Sequence, residues 1–263
     1  MSILDDIVAF KRGEVEKQKK AVSLEELQNR EFFSREIISL RHALLDDTQT
    51  GIIAEFKRRS PSKGIINANA DVTEVTSGYV KGGASALSIL TDEKFFGGHE
   101  TDLTRARIHE VPILRKDFII DPYQLFEARA MGADVILLIA ACLSPEEVTE
   151  LAEAAKHLEF EVLLELHTEE ELGHICDAVD IVGINNRNLK TFEVDVDRSI
   201  RMAEQIPNGK ITIAESGINN VKTIKQFREH GFRGFLIGEF FMKEKDPGEA
   251  FKKFVEQLAP SRV

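Results

Sequence analysis

The stretch Gly51-Ile-Ile-Ala-Glu-Phe-Lys-Arg-Arg-Ser-Pro-Ser-Lys-Gly64 combines a short apolar run with the polar side chains that follow it. The run at residues 52–54 is typical of a buried β-strand. Because side chains alternate along a strand, Glu55 and Lys57 project from the same face. Opposite charges on that face would be costly in a core unless they line a functional site. An ion pair at a solvated strand end would also explain this one segment.

The same pattern recurs along the chain, which favours the functional interpretation. Further apolar runs cover residues 86–90, 112–118, 134–140, 160–166, 180–185, 210–217 and 233–239. The polar or glycine residues at the ends of these runs include Lys116, Glu165, Asn185, Glu215, Ser216, Gly217 and Gly238. Together with residues 52–54, the pattern predicts about eight short strands.

Helix signals fill the intervals between the predicted strands. Ser144, followed by Pro145 and then Glu147, is a strong start signal for a helix over Pro145–His157. Gly132 and Gly231 are typical helix ends that come just before the next strand. Strand followed by helix, repeated about eight times, implies parallel strands joined by crossover helices.

Two architectures satisfy this pattern, a closed (β/α)8 barrel and an open doubly wound sheet. The open sheet usually carries a G-x-G-x-x-G turn after its first strand, and this sequence contains none. The candidate functional residues follow several different strands, as they do at the C-terminal mouth of a barrel. We therefore predict an α/β fold, a (β/α)8 TIM barrel with an N-terminal helical extension.

The length of 263 residues suits a single barrel domain over residues 1–263, in which residues 1–48 form the helical extension. The apolar residues of its first helix, which fall on one stripe, are Ile3, Leu4, Ile7 and Val8. We expect Ser34 to begin a second helix, whose apolar residues lie within residues 37–45. The extension either packs on the bottom of the barrel or covers its open mouth.

Composition limits the possible partners and location. A net charge of −11 argues against nucleic acid or an anionic membrane surface as a partner. Asp5 and Asp6 interrupt the first apolar residues, and no apolar stretch is long enough to span a bilayer, so we expect neither a signal peptide nor a membrane span. Cys142 and Cys176 are typical of free thiols in a reducing cytosol, and the scattered histidines predict no metal site. We expect a cytoplasmic monomer or weak homo-oligomer, with His167 as the one histidine that follows a candidate catalytic residue closely.

Cations concentrate at the predicted barrel mouth although the chain is acidic overall. They are Lys57, Arg58, Arg59, Lys63, Lys116 and Arg187. Coincidental scatter over the surface would explain them, but their common position at strand ends favours a small anionic substrate. We expect a phosphate ester, whose phosphate would lie between Ser216-Gly217 and Gly238-Glu239 after the last two strands.

The strand-end motifs also occur in a specific order. They are Glu-Phe-Lys-Arg-Arg-Ser-Pro-Ser (55–62), Leu-Arg-Lys-Asp-Phe (114–118), Leu-Leu-Glu-Leu (163–166), Gly-Ile-Asn-Asn-Arg-Asn-Leu (183–189), Ala-Glu-Ser-Gly-Ile (214–218) and Leu-Ile-Gly-Glu (236–239). In combination they resemble the indole-3-glycerol-phosphate synthase family of tryptophan biosynthesis, from the first strand onward and in the helical extension before it. The bulky pair Phe240-Phe241 departs from the family pattern.

The resemblance implies ring closure of 1-(2-carboxyphenylamino)-1-deoxyribulose 5-phosphate with loss of CO2 and water, and no cofactor is expected. It places Lys116 as the acid at the C2′ carbonyl, where burial among other cations would lower the pKa of the lysine. It implies that Glu165 is the general base of the dehydration, with Glu55 and Asn185 orienting it. Lys57 resembles a family lysine near the phosphate and the reacting sugar. Which of the two lysines is the acid in the dehydration stays open.

Other residues are matched to substrate binding by the same resemblance. The apolar slot for the substrate's aromatic ring would be lined by Phe96, Phe118, Leu137 and Leu189. Ordinary core packing is a strong alternative for Leu137. Ser60 and Arg187 are candidate donors to the substrate carboxylate or to neighbouring loops, and Glu215 is expected to support the hydrogen-bond network.

Alternative functions remain open at this point. A Schiff-base aldolase on the same barrel would use Lys116 as its nucleophile and Glu165 as the acid-base partner. A phosphosugar isomerase needs only a simple proton shuttle, which two lysines and two inward glutamates exceed. A phosphate-binding scaffold without catalysis would not require ionisable or amide groups at so many strand ends.

Overall fold

The computed structural model describes residues 3–187 and 194–258, and within them eight parallel strands close into a barrel. The barrel strands are β1 (Ile52–Phe56), β4 (Ala86–Leu90), β5 (Ile113–Lys116), β6 (Val135–Ile139), β7 (Glu161–Leu166), β8 (Ile181–Asn185), β9 (Ile211–Glu215) and β10 (Gly234–Ile237). Two further strands, β2 (Arg59–Ser60) and β3 (Gly64–Ile65), lie outside the barrel. Strand β1 pairs in parallel with both β4 and β10, which closes the sheet. The predicted (β/α)8 barrel is confirmed, and the open sheet is excluded.

One departure from the predicted strands lies just after β1. Strands β2 and β3 form a small antiparallel hairpin outside the barrel, within the polar stretch that follows the first apolar run. In this hairpin Arg59 pairs with Ile65, and Ser60 with Gly64.

The helices lie mainly between the barrel strands, as the alternating pattern predicts. They are α1 (Ile3–Ala21), α2 (Leu24–Gln28), α3 (Leu40–Leu45), α4 (Val72–Lys81), α5 (Glu93–Phe96), α6 (Glu100–Ala106), α7 (Tyr123–Met131), α8 (Pro145–His157), α9 (Val196–Ala203), α10 (Val221–Glu229), α11 (Glu239–Met242) and α12 (Pro247–Leu258). Short 3-10 helices cover Ala140–Cys142 and Glu169–His174. Helix α8 begins at the predicted capping box, in which Ser144 accepts a hydrogen bond from the backbone of Glu147. None of the helices within the described ranges is long and apolar enough to cross a membrane.

Two apolar layers follow from the alternation of side chains along the strands. In β6, Val135, Leu137 and Ile139 fill the inside of the barrel, whereas Ile136 and Leu138 face the surrounding helices. The same alternation directs polar residues at the C-terminal strand ends into the barrel mouth, because they share the parity of the inner core residues.

The N-terminal extension covers both ends of the barrel. Ile3, Leu4 and Ile7 of α1 line a cavity at the C-terminal mouth. Helix α3 lies at the opposite end, where Ser39 Oγ donates to Glu161 Oε1 at 2.5 Å at the start of β7. The two arrangements that the sequence left open are therefore both present, each in a different helix.

The predicted start of the second helix was wrong. Ser34 lies in a turn, and Ser39 is the N-cap of α3, since its side chain accepts a hydrogen bond from the backbone of His42 at 3.0 Å.

Helix α1 is held over the mouth by a buried lysine. Lys11 Nζ lies 3.0 Å from Asp92 Oδ2, at the N-cap of α5, and 3.0 Å from Asp117 Oδ1, just after β5. Burial alone opposes ionisation of Asp117, but Lys11 and Arg115 outweigh it and hold the pKa of this carboxyl well below its usual value. The ion-pair cluster therefore fastens the helix to two neighbouring strand ends.

We expect Lys11→Met to destabilise the protein by about 3–5 kcal/mol, because it leaves buried Asp92 without a cation and removes one of the two cations that Asp117 contacts. Urea unfolding at neutral pH measures the change. Arg12→Met is the matched control, since Arg12 is exposed on the same helix and its loss should cost under about 1 kcal/mol. Equal effects of the two substitutions would contradict the anchoring role.

The same variant has an expected pH signature. Because the pKa of Asp117 is depressed in the folded protein, its stabilising contribution is complete above about pH 4 and declines as the pH falls. Without Lys11 that depression is smaller, so the loss of stability on acidification should be shallower in Lys11→Met than in the parent protein.

Candidate active site

Polar side chains from several strands converge in a cavity at the C-terminal mouth of the barrel. The cavity holds about 1160 Å³ of empty space, part of which is open to solvent. Its polar and charged lining includes Glu55, Lys57, Ser60, Lys116, Glu165, His167, Asn185, Arg187, Glu215, Ser216 and Glu239. The strand-end residues that the sequence singled out are therefore brought together in one place.

The cavity contains an ion pair between β5 and β7, two strands that are separated by β6 in the barrel. Lys116 Nζ lies 2.9 Å from Glu165 Oε2 and 3.9 Å from Glu215 Oε2. Asn185 Nδ2 donates a hydrogen bond of 2.9 Å to the other oxygen, Glu165 Oε1. Glu165 and Glu215 thus hold the lysine directly, and Asn185 holds Glu165 in place.

The protonation states in this cluster are set by mutual charge. Burial, the largest influence, opposes the charge on Lys116, but the carboxylates of Glu165, Glu215 and Glu55 outweigh it and raise the pKa of this lysine. Our expectation of a lowered pKa for Lys116 was wrong, because its nearest charged groups are carboxylates and not cations. Burial also opposes ionisation of Glu165, yet Lys116, His167 and Asn185 hold the pKa of Glu165 well below its usual value.

Glu215 takes the opposite state. Burial and the neighbouring carboxylate of Glu165 raise its pKa well above the usual value, which favours its protonated form. A Cβ atom on Gly183 would lie 2.1 Å from Glu215 Oε1, which means that the glycine in β8 provides the space for this carboxyl group. The site therefore contains a lysine and two glutamates whose pKa values are shifted in opposite directions.

A second ion pair lies next to the first. Lys57 Nζ lies 2.6 Å from Glu55 Oε1, and both side chains point into the cavity as their spacing predicted. A Cβ atom on Gly238 would lie 2.5 Å from Glu55 Oε1, so this glycine is required by the position of the carboxylate. Gly238 thus has a packing role that the sequence interpretation missed.

The turn after β9 has an unusual backbone. Ser216 and Gly217 have φ values of 66° and 70°, and positive φ is uncommon for a residue other than glycine. Asn186 holds this turn, since its backbone N–H donates to Glu215 O at 2.8 Å and its Nδ2 donates to Ser216 O at 2.8 Å. Asn186 was not among our candidates, although it lies within the motif that follows β8.

The rim near this turn carries both signs of charge. Arg187 Nη2 lies 3.4 Å from Glu239 Oε2, and Lys63 Nζ lies 3.8 Å from Glu239 Oε1. The carboxylate of Glu239 is therefore turned toward cations. Any contact of this residue with an anion would come from its backbone N–H and not from its side chain.

Apolar residues line the other side of the cavity. The rings of Phe96 and Phe118 lie with their centroids 6.0 Å apart, and both contribute to the wall. Leu137 lies beneath them as part of the inner barrel core and lines a smaller adjoining space with both rings. Leu189, the fourth predicted member of this slot, lies outside the described residues.

Three predicted cations do not line the cavity: Lys63 is exposed at its rim, and Arg58 and Arg59 lie further away. Arg58 points away from the mouth, where its Nη2 donates to Asp102 Oδ1 at 2.9 Å and its guanidinium lies over the ring of Phe56. Arg59, in the hairpin, is exposed and does not line the cavity. Arg58 points away from the mouth because side chains alternate along the strand. Glu55 and Lys57 face inward, so Phe56 and Arg58 face outward.

The chain is similar to known proteins over nearly its whole length. A family model described as indole-3-glycerol phosphate synthase matches residues 4–254. The indole-3-glycerol phosphate synthase of Bacteroides thetaiotaomicron is 53% identical over 260 residues, which cover 97% of this chain and 98% of that protein. The protein of the same name from Salinibacter ruber is 44% identical over 257 residues, covering 96% of this chain and 95% of the relative.

Solved structures show a related fold at low sequence identity. Tryptophan synthase subunit alpha from Legionella pneumophila matches with a TM-score of 0.61 and 15% identity, over 83% of this chain and 96% of that one. Thiamine phosphate pyrophosphorylase from Pyrococcus furiosus matches with a TM-score of 0.58 and 16% identity, over 84% and 100% of the two chains. These similarities support the barrel architecture alone.

Proposed function

The chain belongs to the indole-3-glycerol phosphate synthase family, the carboxy-lyases of tryptophan biosynthesis, and we propose how the residues of its barrel mouth carry out the reaction. The substrate is 1-(2-carboxyphenylamino)-1-deoxyribulose 5-phosphate, and the ring closes with loss of CO2 and water. The observation that supports our assignment of roles most directly is the contact of 2.9 Å between Lys116 and Glu165 in the cavity at the barrel mouth.

Lys116 is the acid of the first step. The aryl carbon that carries the carboxylate attacks the C2′ carbonyl, and negative charge develops on the carbonyl oxygen. An ammonium group positioned there stabilises the charge and transfers a proton to it. The surrounding carboxylates keep Lys116 protonated, which ensures that the proton is present when substrate binds. Loss of CO2 then restores the aromatic ring.

Glu165 is the base of the second step. Dehydration removes the C2′ hydroxyl as water and a proton from C1′, and an ionised carboxylate is needed to accept that proton. Glu165 is ionised in the substrate-free protein, and Asn185 fixes one of its oxygens. Lys57 and Lys116 both line the cavity, so Lys57 can protonate the departing hydroxyl, and Lys116 can do so once it has regained a proton. Glu55 orients Lys57, and Glu215 lies beside Lys116.

The remaining groups bind the two ends of the substrate. The phosphate is held by backbone N–H groups around Ser216-Gly217 and Gly238-Glu239, where glycine permits close approach. Phe96, Phe118 and Leu137 form the slot for the aromatic ring, and Leu189 is assigned to it by the family resemblance. Ser60 and Arg187 line the same cavity and are suited to the substrate carboxylate.

The alternative of a Schiff-base aldolase is disfavoured by the state of Lys116. A nucleophilic amine must be neutral, usually through a lowered pKa, whereas the carboxylates around Lys116 raise its pKa. A phosphosugar isomerase would leave the Lys116–Glu165 and Lys57–Glu55 pairs without separate tasks.

We also propose that residues 1–263 form one barrel domain, with residues 1–48 as its extension. The enzyme works in the cytoplasm on a small phosphate ester, as a monomer or weak homo-oligomer, without nucleic acid or membrane partners. The net charge of −11 supports the last point, because it would repel polyanions.

The activity has a direct optical test. Since the chain contains no Trp, formation of an indole ring should appear as new fluorescence over a weak protein background. Purified, folded protein is incubated with 1-(2-carboxyphenylamino)-1-deoxyribulose 5-phosphate, and emission is followed with time. Absence of indole fluorescence would contradict the activity, and a substrate adduct trapped by borohydride would favour the aldolase.

The two catalytic roles can be separated by single-turnover experiments. We expect Lys116→Ala to abolish both CO2 release and indole formation, with turnover reduced on the order of 100- to 1000-fold, because the acid of ring closure is lost. Glu165→Gln keeps the size and hydrogen bonding of the side chain but removes the base, so CO2 should be released without a matching amount of indole. Equal loss of both signals in the two variants would contradict the division of roles.

Gly238 allows a test of the phosphate site. We expect Gly238→Ala to raise KM, because the new methyl group obstructs the backbone N–H groups, and to lower kcat by about tenfold or more, because it displaces Glu55. Gly173→Ala is the control, since nothing lies within 4 Å of its added Cβ. Steady-state kinetics measure both constants, and an unchanged KM for Gly238→Ala would contradict the phosphate placement.

A further inference from the structure

His167 lies beside the reacting groups but has no task in the mechanism above. It follows β7 with the same inward parity as Glu165, its side chain is only 5% exposed, and it lines the cavity. Its Nε2 lies 3.0 Å from Glu165 Oε1. Neither ring nitrogen makes an aligned hydrogen bond to any residue that the structure describes, although the imidazole lies close enough to Glu165 to contribute to its low pKa.

Contacts with Glu171 hold the backbone that carries this imidazole. The backbone N–H of His167 donates to Glu171 Oε2 at 2.5 Å, and the N–H of Thr168 donates to the same oxygen at 3.3 Å. His167 Nδ1 lies 3.9 Å from that carboxylate. Glu171 belongs to the 3-10 helix that Thr168 begins, so a local turn aims the ring at Glu165.

The reaction itself creates the need for another partner of Glu165. In the substrate-free protein, Lys116 neutralises Glu165 through Oε2. When Lys116 gives its proton to the C2′ oxygen and becomes neutral, Glu165 is left as a buried carboxylate without a cation. Such a group tends to take up a proton, and a protonated Glu165 could not act as the base of the next step.

We propose that His167 is a positioning residue for Glu165. His167 donates its Nε2–H to Glu165 Oε1 and keeps this carboxylate ionised and oriented once Lys116 has released its proton. This inference rests on the proposed role of Glu165 as the base of dehydration. The poor alignment in the substrate-free protein is consistent with it, because catalytic hydrogen bonds often become aligned only when substrate is bound. Asn185 already donates to the same oxygen, so the two donors together direct Oε2 toward the substrate.

Other titratable groups face this pair and bear on its pH dependence. They are Glu55, Lys116, Glu171, Glu215 and Cys142, with Asp5 of α1 near Cys142. Burial, together with Glu165 and Glu171, raises the pKa of Cys142 to about 12, so its thiol stays neutral in the range of interest. The raised pKa values of Lys116 and Glu215 favour their protonated forms, so we expect Glu165, whose pKa is lowered, to control the acidic limb of kcat.

The test compares pH profiles of kcat for His167→Leu and His167→Gln. Without the donor, the pKa of Glu165 rises, so the acidic limb for His167→Leu should move up by about one pH unit, with a loss in kcat of about tenfold on that limb and little change in KM. His167→Gln places an amide N–H near the position of Nε2 and should restore most of the profile. His157→Leu, an exposed position on α8, should leave the profile unchanged.

Three results would overturn the inference. They are an unshifted acidic limb in His167→Leu, a loss confined to KM, or equal defects in the Leu and Gln variants. Glu165→Gln provides the separate check on the proposed function: if the limb persists in that variant, Glu165 is not the base, and both assignments fail. If the limb depends on Glu165 but not on His167, only the present inference fails.

A measurement on the unmodified protein covers the case in which His167→Leu does not fold. Nitrogen-15 NMR of the histidine rings, assigned with His167→Gln, reports which ring nitrogen carries the proton. We expect His167 to be protonated at Nε2 at neutral pH. An unprotonated Nε2 facing Glu165 would overturn the inference without any kinetic data.

Discussion

The charge balance of the barrel mouth is the constraint on which the rest of the site depends. Within the described part of the chain, three buried carboxyl groups have two lysines within ion-pair distance; the carboxyl groups are those of Glu55, Glu165 and Glu215. A buried carboxylate without a cation is strongly unfavourable, and the raised pKa of Glu215 favours a proton on that group. Because the charge of each group shifts the pKa values of the others, a change at any one of them alters the protonation of the rest, and the scaffold must hold all of them at short, fixed distances.

Strand alternation provides that precision. Leu163 and Glu165 project inward from one strand, Ile213 and Glu215 from another, so each functional side chain lies one residue pair above a core side chain that fixes its strand. Glycines then make the space that these carboxyl groups need, as Gly183 does for Glu215 and Gly238 for Glu55. A site built on strand ends and packed from below resists displacement better than one built on free loops.

The strands and the inward polar residues could be predicted from the sequence, because apolar runs and alternation are local properties. The same alternation, continued past the strand ends, would have excluded Arg58, one residue after Lys57, and favoured His167, two residues after Glu165. The direction of the pKa shift of Lys116 could not be predicted in this way, since it depends on which charged groups of distant segments face it. The placement of α1 and α3 at opposite ends of the barrel could not be predicted either. An apolar stripe predicts that one face of a helix is buried, but it does not show which surface covers that face.

The link between the helix over the mouth and the reacting lysine also follows from alternation. Lys116 points into the barrel and meets Glu165, whereas the next residue, Asp117, points away and meets Lys11 of α1. Arg115, on the other side of Lys116, also points outward and lies 3.1 Å from Asp117. The short strand end is therefore held on its outer face by a buried network that includes the covering helix, while its inner face presents the ammonium group to the substrate. A displacement of α1 would remove a cation from Asp117 and loosen the backbone that carries Lys116. Docking of the helix and alignment of the lysine are therefore coupled, because Lys116 and Asp117 are adjacent in the chain.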